Sequence, residues 1–209
     1  MTDSEGASPA SLLRRLRSAA RSSLDAGERL LHPLRRRRAR RRLSDRLATG
    51  VTEVVFVCHG NICRSPFAER AFLRLSDSAR EVPVRSSGFY PEPDRSSPPE
   101  ALAAARRRGV DLEDHRSAVL DEDAFGRPED GGRIVLVMDA NQRDRLRSDF
   151  GVETSSVFVL GDLDPEPIPH RRITDPWGAD PEVFDRVFGR IERCVRDLVA
   201  IADDLLARP

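Results

Sequence analysis

Short β-branched runs alternating with segments of helical spacing constrain this chain more than any other feature. Val54-Val55-Phe56-Val57 reads as a strand buried on both faces. The segment from Ser65 to Ser76 places apolar residues at Phe67, Ala68, Ala71, Phe72 and Leu75, which is helical spacing. Val82 to Ser86 predicts a second strand, at a sheet edge because Pro83 has no N–H for a ladder. Pro98-Pro99 opens a helix that runs to about Arg108 and closes at Gly109. Ile134–Met138 and Ser156–Leu160 predict a third and a fourth strand, with a short helix over Ala140–Ser148 between them. Phe184, Phe188, Ile191, Val195, Leu198, Ala202 and Leu205 then recur at alternating steps of four and three, behind a start signal at Asp180 and Pro181. A single helix covering a sheet face explains that seam better than a coiled coil. The whole predicts an α/β fold, a single domain with a four-stranded parallel sheet flanked by helices.

Composition removes several function classes. The apolar runs are far shorter than the ~20 residues of a membrane-spanning helix, so no transmembrane segment is expected. Three cysteines, unevenly placed in 209 residues, form no disulfide framework. They suit a reducing compartment, and a cytoplasmic protein is expected. With four histidines and no Cys-x-x-Cys, the pattern of a structural zinc site is missing. Neither a metal nor a cofactor is called for.

Net charge is zero, yet it is unevenly spread. Residues 1–50 hold thirteen arginines against five carboxylates, a local charge of +8 that the rest of the chain offsets. Every basic residue is arginine, which reads first as compositional bias. The first ten residues are small and polar and expected to be disordered. Leu12, Leu13, Leu16 and Ala20 share one helical face; Pro33 is expected to interrupt, and Arg35–Arg38 with Arg40–Arg42 form a dense basic run. No apolar signal-peptide core follows, so secretion is not indicated. The expected division is an Arg-rich extension over 1–50, disordered or partly helical, and a domain over 51–209. Residues 12–46 are either a solvated tail or a contact for acidic membrane, nucleic acid or a protein partner.

The informative stretch is Val57-Cys58-His59-Gly60-Asn61-Ile62-Cys63-Arg64-Ser65-Pro66. A buried strand ends, a tight loop follows and a helix begins, the place where open α/β sheets bind ligands. Such a loop aims backbone N–H groups at one point, beside the positive end of a helix dipole. Gly60 permits a close turn, and Asn61 tolerates left-handed backbone. Five residues separate Cys58 from Arg64, enough to wrap a phosphate-sized dianion. The amides and Arg64 are expected to favour the Cys58 thiolate, a nucleophile aimed into an oxyanion site. The Arg64 guanidinium suits two phosphoryl oxygens at once, and Ser65 suits a hydroxyl donor to the sulfur. Cys194 reads as core.

The run from Cys58 to Glu69 resembles the phosphate-binding loop of the low-molecular-weight protein tyrosine phosphatases. Ser86-Ser87-Gly88, Asp114-His115-Arg116-Ser117, Val137-Met138-Asp139 and Asp175-Pro176-Trp177-Gly178 resemble further segments of that family, in the same order over about residues 52–206. The resemblance implies a protein-tyrosine phosphatase acting on phosphotyrosine-containing proteins. Cys58 would be the nucleophile, Arg64 the phosphate clamp and Asp175 the general acid and base. It implies that His59, Gly60, Asn61, Ile62, Cys63 and Ser65 cradle the phosphate and that Trp177 walls the substrate slot, with Phe89 or Tyr90 facing it. Asn61 would hold the loop, supported by Ser86 and His115, and Cys63 would guard Cys58 through a reversible disulfide. Protein-arginine phosphatases share the fold and tend to carry threonine where Ile62 stands, so Ile62 with Trp177 favours an aryl phosphate. Two more remote alternatives are an arsenate reductase, for which relay cysteines are few, and a non-catalytic binding module using the basic tail.

Overall fold

The computed structural model describes residues 9–76, 82–120 and 132–206, with side chains from 27 to 204 within those spans. The expected disorder of the first ten residues falls almost wholly outside them, and the side chains of Leu12, Leu13, Leu16, Ala20 and Leu205 fall outside them too.

The chain opens with helix α1, Pro9–Ala48. Then come β1 (Glu53–Cys58), α2 (Arg64–Leu75), β2 (Val84–Gly88), α3 (Pro99–Arg106), β3 (Arg133–Val137), α4 (Ala140–Phe150), β4 (Val157–Val159) and α5 (Pro181–Leu206), with a 3-10 turn over Leu160–Leu163. The strands form one parallel sheet in the order β2-β1-β3-β4. Val54 pairs with Val84 on one side and Ile134 on the other, and Val135 pairs with Val157. β2 is an edge strand, as Pro83 predicts. The chain leaves β1 toward β2 and returns on β1's other side as β3. A crevice therefore opens at the carboxyl ends of β1 and β3.

Alternate strand residues serve opposite faces. Val54, Phe56, Ile134, Leu136 and Phe158 join one cluster with residues of α1, α2, α3 and α5. Val55, Val57, Val135, Val137, Val157 and Val159 join a second with Leu146 of α4. Burial on both sides explains why these strands read as continuous apolar runs. The α5 seam lies on the first face: Phe184, Phe188, Ile191, Val195, Leu198 and Ala202 are all buried there. Phe188 stacks on Phe67 of α2, ring centroids 4.2 Å apart, and burying one such side chain contributes roughly 1.5–3 kcal/mol.

Of the two states expected for the basic extension, the structure has the helical one. Pro33 does not interrupt it but lies inside α1, which corrects the sequence reading. A proline removes one helix hydrogen bond and costs about 3 kcal/mol in a helix interior. Here both flanks are tied. Arg35 donates to Glu28 across the proline at 2.9 Å, His32 Nε2 donates to the Asp164 carbonyl at 2.8 Å, and Leu43 is fully buried in the first cluster. Arg36 and Arg40 both pair with Asp197 of α5. Among the described residues no helix is long and apolar enough to cross a membrane.

Candidate active site

β1 ends at Cys58 and α2 starts at Arg64, so the loop between them sits at the mouth of the crevice. Asn61 shapes this loop. Its backbone is left-handed, φ 50°, and its side chain is fully buried. The Nδ2 amide donates to Ser65 Oγ and Ser86 Oγ, both at 2.9 Å, while Oδ1 accepts from the Ala118 N–H at 2.8 Å. His115 Nε2 reaches the Asn61 carbonyl at 2.7 Å. Burial lowers the pKa of His115. A carbonyl only accepts, so the neutral ring must carry its proton on Nε2.

Cys58 Sγ accepts two hydrogen bonds, from the Asn61 N–H at 3.2 Å and the Ser65 hydroxyl at 3.0 Å. Ser65 Oγ is itself an acceptor for Asn61, and its single proton has the sulfur as its nearer acceptor, with the Ser87 carbonyl farther off at 3.4 Å. Both donors oppose the desolvation of negative charge on sulfur. Burial pushes the thiol of Cys63, five residues on, up, and the nearby Cys58 and Asp175 add to this. Cys194 on α5 is fully buried and likewise pushed up by burial.

Arg64 is almost entirely buried. Nη1 donates to the Ile173 carbonyl at 3.2 Å, and Nη2 forms an ion pair with Asp175. Its Nε is buried and has no partner, and the side chain lines the pocket. An orphaned buried donor costs about 1–3 kcal/mol, a cost that an anion bound in this pocket could offset.

Asp175 reaches this site from 111 residues away, because its loop is clamped. The fully buried carboxylate of Asp164 accepts from Arg190 and Arg193 of α5 at 3.1–3.2 Å. Arg190 also donates to the carbonyls of His170 and Arg172, at 2.6 and 2.7 Å. The Ile173 N–H then donates to the Met138 carbonyl at the end of β3, at 2.9 Å. Two residues later Asp175 sits over Arg64, and its Oδ1 accepts from the Trp177 N–H at 3.3 Å.

The cavity, about 190 Å³, is lined by Cys58, His59, Gly60, Ile62, Cys63, Arg64, Asp175 and Trp177. These residues, predicted for the site, are thus brought together. Asn61 of the loop itself, with Ser65, Ser86 and His115, is not among the residues that line the cavity. The Trp177 ring is 69% exposed and forms one wall. Tyr90 lines the same cavity, whereas Phe89 packs into the second core cluster.

Three contributors escape sequence reasoning. Glu69 accepts from Ser86 Oγ at 2.5 Å and ends the relay that runs through Asn61 and Ser65 to the sulfur. Arg95 stacks on Tyr90, 4.1 Å from the ring centroid, and donates to the Gly60 carbonyl at 2.6 Å. Tyr90 was one of two aromatic candidates, and Arg95 had no local signal among so many arginines. Gly88 is required by close approach: a Cβ there would lie 2.8 Å from the Asn61 nitrogen and the His59 oxygen. Its place in Ser86-Ser87-Gly88 was the available clue.

Comparisons with known proteins agree with this geometry. Residues 53–206 match the family described as low molecular weight phosphotyrosine protein phosphatase. The chain is 34% identical over 159 residues to low molecular weight protein-tyrosine phosphatase A of Mycobacterium tuberculosis, covering 74% of this chain and 94% of that one. It is 29% identical over 147 residues to the protein-arginine-phosphatase of Bacillus subtilis, covering 70% and 93%. Among solved structures it resembles the YwlE arginine phosphatase in a mutant form with a phosphorylated active-site serine, TM-score 0.61 at 29% identity over 75% of this chain and 97% of the other. It also resembles the Erwinia amylovora tyrosine phosphatase AmsI, TM-score 0.62 at 26% identity over 72% and 92%. The match runs from the start of β1 to the end of α5, and the chain therefore belongs to the low molecular weight phosphotyrosine protein phosphatase family, whose tyrosine-phosphatase members are phosphoric monoester hydrolases.

Proposed function

We propose that this protein hydrolyses phosphotyrosine in protein substrates through a cysteinyl-phosphate on Cys58, with residues 51–209 as the catalytic unit and the cytoplasm as its compartment. The observation that carries this reading is the buried, unpartnered Nε of Arg64 beside a sulfur that already holds two donors. A phosphoryl dianion in the cradle takes Nε and Nη2 of Arg64 with two of its oxygens. Arg64 then releases the Asp175 carboxylate, which takes up a proton from solvent and faces the leaving oxygen as the acid. Sγ attacks phosphorus, the P–O bond breaks, and the electron pair leaves on the phenolic oxygen, which takes the proton of Asp175. In the second step water attacks phosphorus and gives its proton to the Asp175 carboxylate. The P–S bond breaks, and the pair returns to Sγ, where the Asn61 amide and the Ser65 hydroxyl hold the charge. Three free cysteines fit a reducing compartment.

Trp177 supplies binding, not chemistry. Stacking on a substrate ring is worth about 0.5–1.5 kcal/mol. Trp177→Ala is expected to raise KM for an aryl phosphate by up to about tenfold and to leave kcat within twofold or so. A drop confined to kcat would remove Trp177 from the slot.

A second reading, phosphoarginine as substrate, draws on the likeness to the Bacillus subtilis protein-arginine-phosphatase. Ile62 lines the cavity beside the cradle and presents no polar atom to a phosphoramidate nitrogen. Parallel kinetics on phosphotyrosine and phosphoarginine peptides separate the readings. The wild type should prefer phosphotyrosine, and Ile62→Thr should raise relative turnover of phosphoarginine. An unchanged ratio shows that Ile62 does not set the choice.

A further inference from the structure

Helix α1 carries an apolar stripe on the face turned away from the domain. His32 and Leu43 are buried against α5 and the loop at Asp164. On the opposite side Leu30, Leu31 and Leu34 are 79%, 48% and 66% exposed, three of the five exposed large apolar residues described. Arg37, Arg38 and Arg41 follow on that side and are exposed as well. Eighteen residues make five helical turns, and α1 is continuous upstream. Positions 12, 13 and 16 therefore share the azimuths of 30, 31 and 34, and all six are leucine.

We propose that this face of α1 docks on an anionic lipid bilayer. A helix lying in a membrane interface needs leucines at the acyl boundary and arginines at the headgroups, and both lie side by side here. The local charge of +8 over residues 1–50 complements acidic headgroups. Nucleic acid would meet the arginines but gain nothing from three exposed leucines. A second copy would bring its own +8, and the stripe is interrupted at Ser23 and Gly27, which weakens a helix–helix seam.

Co-sedimentation of the full chain with extruded vesicles tests the docking. Binding is expected to phosphatidylcholine–phosphatidylglycerol mixtures and not to phosphatidylcholine alone, and to weaken as salt shortens the screening length from about 10 Å at 0.1 M to about 3 Å at 1 M. The variant L30S/L31S/L34S should bind the mixture about tenfold or more weakly. The variant R37Q/R38Q/R41Q should lose about a hundredfold, at about 1 kcal/mol per arginine near an acidic surface. Both variants alter exposed side chains outside the pocket, so circular dichroism and p-nitrophenyl phosphate turnover should match the wild type. Three results overturn the proposal: wild type that ignores the anionic vesicles, a leucine variant that binds them as well as wild type, or a leucine-dependent dimer with no vesicle binding. Tighter, leucine-independent binding to duplex DNA would assign the face to nucleic acid and overturn it too.

Discussion

Cys58→Ser protein is expected to hydrolyse no aryl phosphate above roughly 10⁻⁴ to 10⁻⁶ of the wild-type kcat, the loss typical of a missing nucleophile, while still binding inorganic phosphate or vanadate. The physical basis is that the cradle and the nucleophile are separate devices. The Asn61 N–H and Arg64 stay in place when sulfur becomes oxygen, and so does the Asn61 relay to Ser65 and Ser86. A serine hydroxyl at neutral pH is protonated and poorly nucleophilic, with no general base described within hydrogen-bond reach of this position. Turnover by steady-state kinetics and phosphate binding by calorimetry read the two devices independently. Full turnover would exclude Cys58 as nucleophile. Lost turnover together with lost phosphate binding would mean that the loop had collapsed, and the same calorimetry on Cys58→Ala distinguishes that case.

Asp175→Asn is expected to lower kcat by about two to four orders of magnitude on phosphotyrosine, the range of a lost general acid. The asparagine keeps the size of the side chain and an oxygen for the Trp177 N–H, so the loop stays clamped by Arg190 and Asp164. What goes is the proton. A tyrosyl phenolate has a pKa near 10, so its unprotonated departure at neutral pH is slow. p-Nitrophenolate is a far weaker base and needs less help. The loss should therefore be much smaller on p-nitrophenyl phosphate than on phosphotyrosine. Equal losses on both substrates would place Asp175 in binding and not in proton transfer. Removing the carboxylate also frees Nη2 of Arg64 from its ion pair, so tighter phosphate binding is expected in the same variant.

The elements that were legible in the sequence are those whose signal is local. Alternating apolar runs give β1 to β4 because burial on both faces leaves no room for polar residues. The α5 seam is legible because one helix face meets one sheet face over its whole length. The spacing of Cys58 and Arg64 is legible because the loop that joins a strand to a helix must be short to curl around an anion. Pro33 misled, since a proline's local penalty is visible while the contacts of His32 and Leu43 that outweigh it come from α5 and from the 3-10 turn and loop that follow β4.

What the tertiary structure alone decided are the partnerships across long stretches of chain. That Asp175 sits on Arg64 depends on Arg190, Arg193 and Asp164, charged residues that helical period alone would leave in solvent. That Glu69 ends the relay behind the sulfur depends on β2 lying beside α2, close enough for Ser86 to touch both Asn61 and Glu69. That Arg95, one of 35 basic residues, caps the cradle depends on Tyr90 lying beneath it. Periodicity records how a residue faces its own element, and it holds no information about which distant polar group completes a hydrogen bond. The sequence therefore determined the scaffold and the Cys58 loop, and pointed to Asp175 by resemblance, while folding in three dimensions supplied the contact of Asp175 with Arg64, the relay and the face that α1 turns outward.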